Sequence, residues 1–303
     1  MTVETPPAPA APEAPASAVR GSPRDFLALT KPSITRLVVM TTAAGYYLGV
    51  RDQFDLTRFA HTVLGTALVA GGTNALNQWW ERDVDARMHR TRARPLPAGR
   101  LAPRTALVFA LVVALAGTGW LLAFVNALTA LLAGLTVVSY VLCYTPLKKR
   151  TSLNTLVGAV PGALPILGGW TAATGRLAVS AWLLFAVLFV WQLPHFFALA
   201  WMHKEDYARG RLRMLSLDDS DGRRTGRHAL GWSLVLLAVS LLLAPFHVTG
   251  AWYTAAAVLL GVLLVAFAAA MAFAPSRAAA RRLFLASVVY LPVMLVVMAL
   301  DKA

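Results

Sequence analysis

From about residue 30 onward the chain alternates between apolar stretches and short polar segments rich in Arg, Gly and Pro. The apolar stretches are long enough to cross a bilayer, which takes about 20 residues. The pattern predicts membrane-spanning helices at roughly 30–50, 58–80, 104–124, 126–144, 153–174, 179–202, 228–247, 250–273 and 283–300. Residues 24–303 therefore read as one nine-helix, all-α polytopic membrane domain. Ahead of it, residues 1–23 are Ala, Pro, Ser and Glu with almost no large apolar side chain. Such a segment buries too little surface to offset the entropy of ordering, so it is expected to be a disordered cytoplasmic tail. Glu4 and Glu13 and the lack of an apolar run argue against a signal or transit peptide.

Composition excludes a water-soluble globule: 58% of residues are hydrophobic, 14% are charged, and the mean hydropathy is +0.61. The net charge of +14 raises the question of a nucleic-acid partner. Its distribution answers that question. With the tail in the cytoplasm, all of the 28 Lys and Arg residues except Arg51, Arg58, Arg176 and Lys302 fall on the cytoplasmic side. That is the asymmetry that membrane insertion imposes. The lipid bilayer is the implied partner and nucleic acid is not. The expected location is the inner (cytoplasmic) membrane, multi-pass, with the N-terminus inside. Cys143 is the single cysteine and lies in an apolar run, which leaves neither a disulfide framework nor a cysteine metal site.

The second predicted span ends in Asn74-Ala75-Leu76-Asn77-Gln78-Trp79-Trp80-Glu81-Arg82-Asp83-Val84-Asp85. On a helix Asn77, Glu81 and Asp85 are each offset by about 40° and 6 Å from the last, so they form one polar stripe. Three oxygen-bearing side chains on one face suit a hard divalent cation, and Mg²⁺ commonly shares its shell with phosphate oxygens. An ordinary solvated helix end is the competing reading. Downstream, Arg87, Arg90, Arg92 and Arg94 precede Pro95-Leu96-Pro97. Carboxylates beside guanidiniums suggest a metal bridged to a polyanion, because Arg forks grip phosphate in bidentate fashion. Topological charge alone is the alternative.

Two further groups follow. His195 lies within the sixth span in Trp191-Gln192-Leu193-Pro194-His195-Phe196-Phe197, and an ionisable residue at that depth is a functional candidate. A hydrogen-bonded structural histidine competes with that reading. Lys204 and Asp206 sit at the mouth of the same span, where they would face the first cluster. Earlier in the chain, Tyr144-Thr145-Pro146-Leu147-Lys148-Lys149-Arg150-Thr151 leads to Asn154 and to the small-residue series Gly158, Gly162, Gly168 and Gly169, best read as helix packing. Lys148 and Lys149 offer more phosphate contacts, with topology favoured. Asp218, Asp219 and Asp221 read as solvated loop charges.

Asn77-x-x-x-Glu81-x-x-x-Asp85 followed by Arg90-Thr91-x-x-Arg94-Pro95-Leu96 resembles the first motif of the UbiA-type intramembrane prenyltransferases, and specifically of their heme branch. The likeness continues through Tyr144–Thr151 with Asn154, Pro194-His195-Phe196, and Asp206-Tyr207 with Met214-Leu215-Ser216, covering nearly everything from 25 to 300. Many relatives that prenylate aromatic acids carry two carboxylates at i and i+4 in the second motif. Here Asp206 is followed at that spacing by Gly210, which argues against a symmetric two-metal site and for the heme branch.

The resemblance implies a UbiA-type bundle whose active site opens to the cytoplasm and farnesylates protoheme IX from farnesyl diphosphate. Mg²⁺ would sit on Asn77, Glu81 and Asp85, with Asp206 completing the catalytic set. Arg90, Arg94, Lys148 and Lys204 would bind the diphosphate and His195 the heme. Asn74, Tyr144 and Tyr207 would support them, and heme A synthase or oxidase assembly proteins are the candidate protein partners. Two other classes stay open: a prenyltransferase for another acceptor such as a quinone precursor, and a non-enzymatic transporter or scaffold. Transporters place ionisable groups near the midplane, whereas here the carboxylates lie at the mouth.

Overall fold

A computed structural model describes residues 21–303. Among these residues the regular structure is helical, and a lone bridge between Thr249 and Lys302 is the only extended pairing. In chain order the helices are α1 (Pro23–Leu29), α2 (Pro32–Gly49), α3 (Leu56–Asp85), α4 (Pro103–Phe124), α5 (Ala127–Leu147), α6 (Asn154–Thr174), α7 (Val179–Met202), α8 (Lys204–Arg209), α9 (Arg223–Leu241), α10 (Ala251–Phe273) and α11 (Arg277–Leu300).

Their starts are written locally. Proline opens α1, α2 and α4, where its missing N–H costs nothing. Asp55, Asn126 and Ser276 cap α3, α5 and α11 by accepting the N–H of Arg58, Thr129 and Ala279. Gly175, at φ +68°, closes α6. Ser22 and Asp25 form a capping box on α1. Folded structure thus begins at the last residues assigned to the tail, while the rest of the expected tail, 1–20, lies outside the described residues.

Six of these helices, α4, α5, α6, α7, α10 and α11, are long and apolar enough to cross a membrane. The three other long ones, α2, α3 and α9, fall below that apolarity because they carry Arg36, the polar residues of the Asn74–Asp85 segment, and Arg223, Arg224, Arg227 and His228. Large apolar side chains face outward, among them Leu115, Leu122, Leu259 and Phe273. An exterior this apolar needs hydrocarbon around it.

The helices form a ring in two halves. In the first, α3 packs on α4 and α2, and α6 packs on α2 and α5; in the second, α7 packs on α9 and α11, with α10 against both; α6 and α7 join the halves. Backbone meets backbone where α2 crosses α6. A Cβ on Gly169 would lie 1.9 Å from the Thr42 carbonyl oxygen, and one on Gly45 2.2 Å from that of Ile166. The packing reading of the small residues thus holds at Gly169, but Gly168 faces open space.

Several boundaries differ from the sequence pattern. α3 runs five residues past the predicted end at 80, and α9 starts at Arg223 and ends at Leu241 rather than spanning 228–247. Apolarity marks where a helix meets lipid, whereas the hydrogen-bonded helix itself continues into the polar mouth. Asp219 is a second correction. It is 4% exposed and accepts from the N–H of Gly222 and the N–H and hydroxyl of Thr225, so it is a buried anchor for the start of α9 rather than a solvated charge.

Candidate active site

Because α3 stays helical to Asp85, the stripe is intact: Asn77, Glu81 and Asp85 are 1%, 8% and 1% exposed. Each meets a cation from a different segment. Lys31 Nζ donates to Asn77 Oδ1 at 2.8 Å from the α1–α2 corner. Lys148 Nζ lies 2.8 Å from Glu81 Oε1, just past the end of α5. Arg94 Nη1 donates to Asp85 Oδ2 at 2.6 Å from the loop after α3. Three cations thus converge on three stacked oxygen-bearing side chains at one end of the bundle.

The surroundings hold these groups in place. Lys31 adopts a left-handed backbone, φ 47°, unusual for a non-glycine residue and typical of functional sites. Asn74 Nδ2 donates to the Thr30 carbonyl and to Thr35 Oγ1, and Gln78 Nε2 to the carbonyls of Ala28 and Leu29, so α3 itself fixes the corner that carries Lys31. Burial, reinforced by Arg94, lowers the Lys31 pKa to about 7 against the pull of Glu81. Lys148 goes the other way, since Glu81 outweighs its burial and holds the ammonium above the usual lysine range.

Within α5 the stretch Ser139–Tyr144 winds as a π-helical turn, a feature that often marks functional sites. There Thr145 Oγ1 accepts from Asn77 Nδ2, and Lys148 Nζ sits 4.4 Å over the Tyr144 ring. The Tyr140 and Tyr144 rings, 5.2 Å apart, stand beside the cluster.

Other expected residues are placed differently. Asp206 does not join the stripe. Its carboxylate accepts from the backbone N–H groups of His89 and Arg90 and from Arg209 Nη1, pinning the loop after α3. Burial raises its pKa, but these donors outweigh that and hold it below the usual carboxylate range. The Arg90 guanidinium is exposed, 5.5 Å over the Tyr207 ring. Lys204 donates to the Asp219 carbonyl and lies 4.7 Å over Trp201, at a separate open cleft of about 370 Å³ shared with His89, His203 and Arg277. The structure does not bring Lys204 to the other three cations.

His195 lies between the rings of Trp191 and Phe284, with Nδ1 2.9 Å from Ser287 Oγ. The Ser287 hydroxyl donates to the Phe284 carbonyl, so its oxygen accepts the imidazole proton. Nδ1 is then the protonated nitrogen, and Nε2 keeps a free lone pair with no hydrogen-bond partner among the described residues.

Sequence reading counted Lys31 only as a topological charge, and missed Thr145 and Ser287. The one local signal for Lys31 is its place before Pro32, where the chain must turn.

Asp85 Oδ1 is buried and has no hydrogen-bond partner, which is the vacant acceptor a divalent cation requires. The Asn77 and Glu81 oxygens beside it suit Mg²⁺. A family model described as the UbiA prenyltransferase family matches residues 38–291. The chain belongs to this family. Relatives named protoheme IX farnesyltransferase include one from Solibacter usitatus, 43% identical over 92% of this chain and 99% of its own. Another, from an Anaeromyxobacter species, is 48% identical over 90% of this chain and 92% of its own. Among solved structures, a digeranylgeranylglyceryl phosphate synthase superposes with a TM-score of 0.78 at 15% identity, covering 92% of this chain and 97% of that one. A UbiA homolog from Archaeoglobus fulgidus bound to GPP and Mg²⁺ gives 0.64 at 14% identity, covering 90% and 99%. These structures establish the fold.

Proposed function

We propose that this chain transfers the farnesyl group of farnesyl diphosphate to a vinyl group of protoheme IX, with addition of water, giving heme O. The convergence of Lys31, Lys148 and Arg94 on Asn77, Glu81 and Asp85 carries this reading. Relatives at 43–48% identity named for that reaction supply the acceptor.

Asn77, Glu81 and Asp85 would hold Mg²⁺, which would supply positive charge to a departing diphosphate. Lys31, Lys148 and Arg94 then turn from these partners to the diphosphate oxygens, so charge developing as the C1–O bond breaks meets fixed donors. The faces of Tyr140 and Tyr144 steady the allylic cation. The heme vinyl carbon bonds to C1 of the farnesyl group, water adds to the adjacent carbon and loses a proton, and diphosphate leaves. His195, with Nε2 free, is the heme contact, and Ser287 fixes its tautomer. Asp206 positions Arg90 through the backbone, and Tyr207 supports its guanidinium.

All nine long helices would cross the inner membrane, with the N-terminus and the cluster on the cytoplasmic side. Heme A synthase or oxidase assembly proteins are the candidates to receive the product.

Two results are expected here. Arg94→Lys, which loses the planar guanidinium that could grip two diphosphate oxygens at once, should weaken farnesyl diphosphate binding by about tenfold, while Arg90→Lys should change it little, read by titration of the purified variants. Equal losses would return Arg90 to the diphosphate. Ser287→Ala should lower heme affinity by about 10- to 100-fold in a spectral titration and leave diphosphate affinity unchanged. Joint loss of both would make the His195–Ser287 pair structural. Acceptor choice is tested by offering heme and a 4-hydroxybenzoate-type quinone precursor together with labelled farnesyl diphosphate. Label should enter the heme, and label in the benzoate would overturn the reading.

A further inference from the structure

A second polar site opens at the same end of the bundle as the stripe, between the junction of α7 with α8 and the first turn of α11. It is the open cleft of about 370 Å³ lined by His89, Met202, His203, Lys204, Arg209 and Arg277. Its carboxylates are already engaged: Asp206 accepts from the His89 and Arg90 backbone, and Arg209 pairs with both Asp206 and Glu205. Its other cations remain available. Arg277 is exposed and has no ion pair among the described residues, and Lys204 gives only one of its three N–H groups, to the Asp219 carbonyl. Burial, then the nearby Arg90 and Arg277, hold the His203 imidazole below its ordinary pKa against the pull of Asp206, so near neutral pH it is uncharged and has an N–H to donate. The cleft thus offers two positive charges and a neutral donor that the cluster on α3 does not use.

The cleft lies in register with His195. Met202 follows His195 by seven residues on α7, and Arg277 precedes Phe284 by seven on α11, so each pair shares a helix face two turns, or about 10 Å, apart. The His195 and Phe284 rings are in contact, with centroids 4.8 Å apart, so the two faces meet along one line that runs from His195 to the cations at the mouth. From an iron held at His195 to the carboxylate of an extended propionate, the macrocycle radius and three further bonds span about 9 Å. The two lengths match. Carboxylates are costly to bury without partners, and the mouth is where they would keep water and gain positive charge.

We propose that this cleft binds the two propionate carboxylates of the heme, one at Arg277 and one at Lys204, with His203 donating a hydrogen bond beside them. The proposal rests on the reading of His195 as the heme contact. It turns the opposite, vinyl-bearing edge of the macrocycle into the bundle and away from bulk water, as trapping of an allylic cation requires.

The test is a spectral titration of the full-length protein with iron protoporphyrin IX and with its dimethyl ester, in which both carboxylates are masked. Wild type should bind the free acid at least about tenfold more tightly than the ester, the effect of one or more charge-assisted hydrogen bonds. Arg277→Gln should lose about tenfold for the free acid and little for the ester, and Lys204→Gln, which keeps an N–H for the Asp219 carbonyl, should behave alike. Should one variant fail to fold, the other decides. Equal weakening of both heme forms would make these side chains merely structural, and equal binding of acid and ester by wild type would leave the carboxylates without a site; either result overturns the proposal. Both variants should bind farnesyl diphosphate with Mg²⁺ as wild type does. Loss of that affinity with the preference for the free acid intact would make the cleft a phosphate site and overturn the proposal too. Binding of neither heme form by wild type would instead overturn the underlying reading of heme as the acceptor.

Discussion

Asp85→Asn should lower turnover by about 10²- to 10³-fold while the protein remains folded and inserted, the loss typical when one preorganised electrostatic contact to the transition state is removed. The variant keeps the volume of the side chain and an oxygen for Arg94 Nη1, now 2.6 Å from Oδ2, so the loop after α3 retains its tie. It loses the negative charge around the buried, unpartnered Oδ1. A Mg²⁺ titration should show the need for metal rising well above that of wild type. Wild-type turnover at the same Mg²⁺ would remove Asp85 from the metal site.

Lys148→Met should be the most damaging single change to stability. Lys148 and Glu81 are 11% and 10% exposed at their side chains, and removing one member of such a pair strands the other, at a cost of about 3–5 kcal/mol. The Met side chain fills the space beside Tyr144 without supplying charge. Pairing it with Glu81→Gln removes the stranded carboxylate and should recover most of the thermal stability in detergent, yet the double variant should have no measurable prenyl transfer. Recovery of both stability and turnover would show the pair to be purely structural. Little loss in the single variant would show Glu81 to be well hydrated.

The parts of the site that could be read from sequence were those encoded within one helix. Asn77, Glu81 and Asp85 announce themselves because a four-residue spacing on a helix is a spatial statement. Arg94 was legible as a cation of the cluster because it follows the stripe closely, and it bonds Asp85. Lys31 and Lys148 were harder. Each sits in a segment that the charge pattern assigns to the cytoplasmic side, where insertion alone would explain a cation, and only the packing of α2 and α5 on α3 shows which amines reach the stripe. Asp206 illustrates the opposite error. It sits at the expected mouth, but backbone donors from His89 and Arg90, over a hundred residues earlier, take up its carboxylate. Asp219 looked like its neighbours Asp218 and Asp221, and its burial depends on Thr225 folding back over it. Helix ends were misplaced at α3 and α9 for a simpler reason. Hydropathy reports the lipid boundary, and these helices begin or end beyond it.

Whether the cluster on α3 prenylates heme is decided by incubating the purified protein with protoheme IX, farnesyl diphosphate and Mg²⁺ and measuring the mass of the pigment. The expected product is heavier than protoheme IX by one farnesyl group and one hydroxyl and forms only when Mg²⁺ is present. Protoheme IX recovered unchanged, by protein that still binds both substrates, would contradict it.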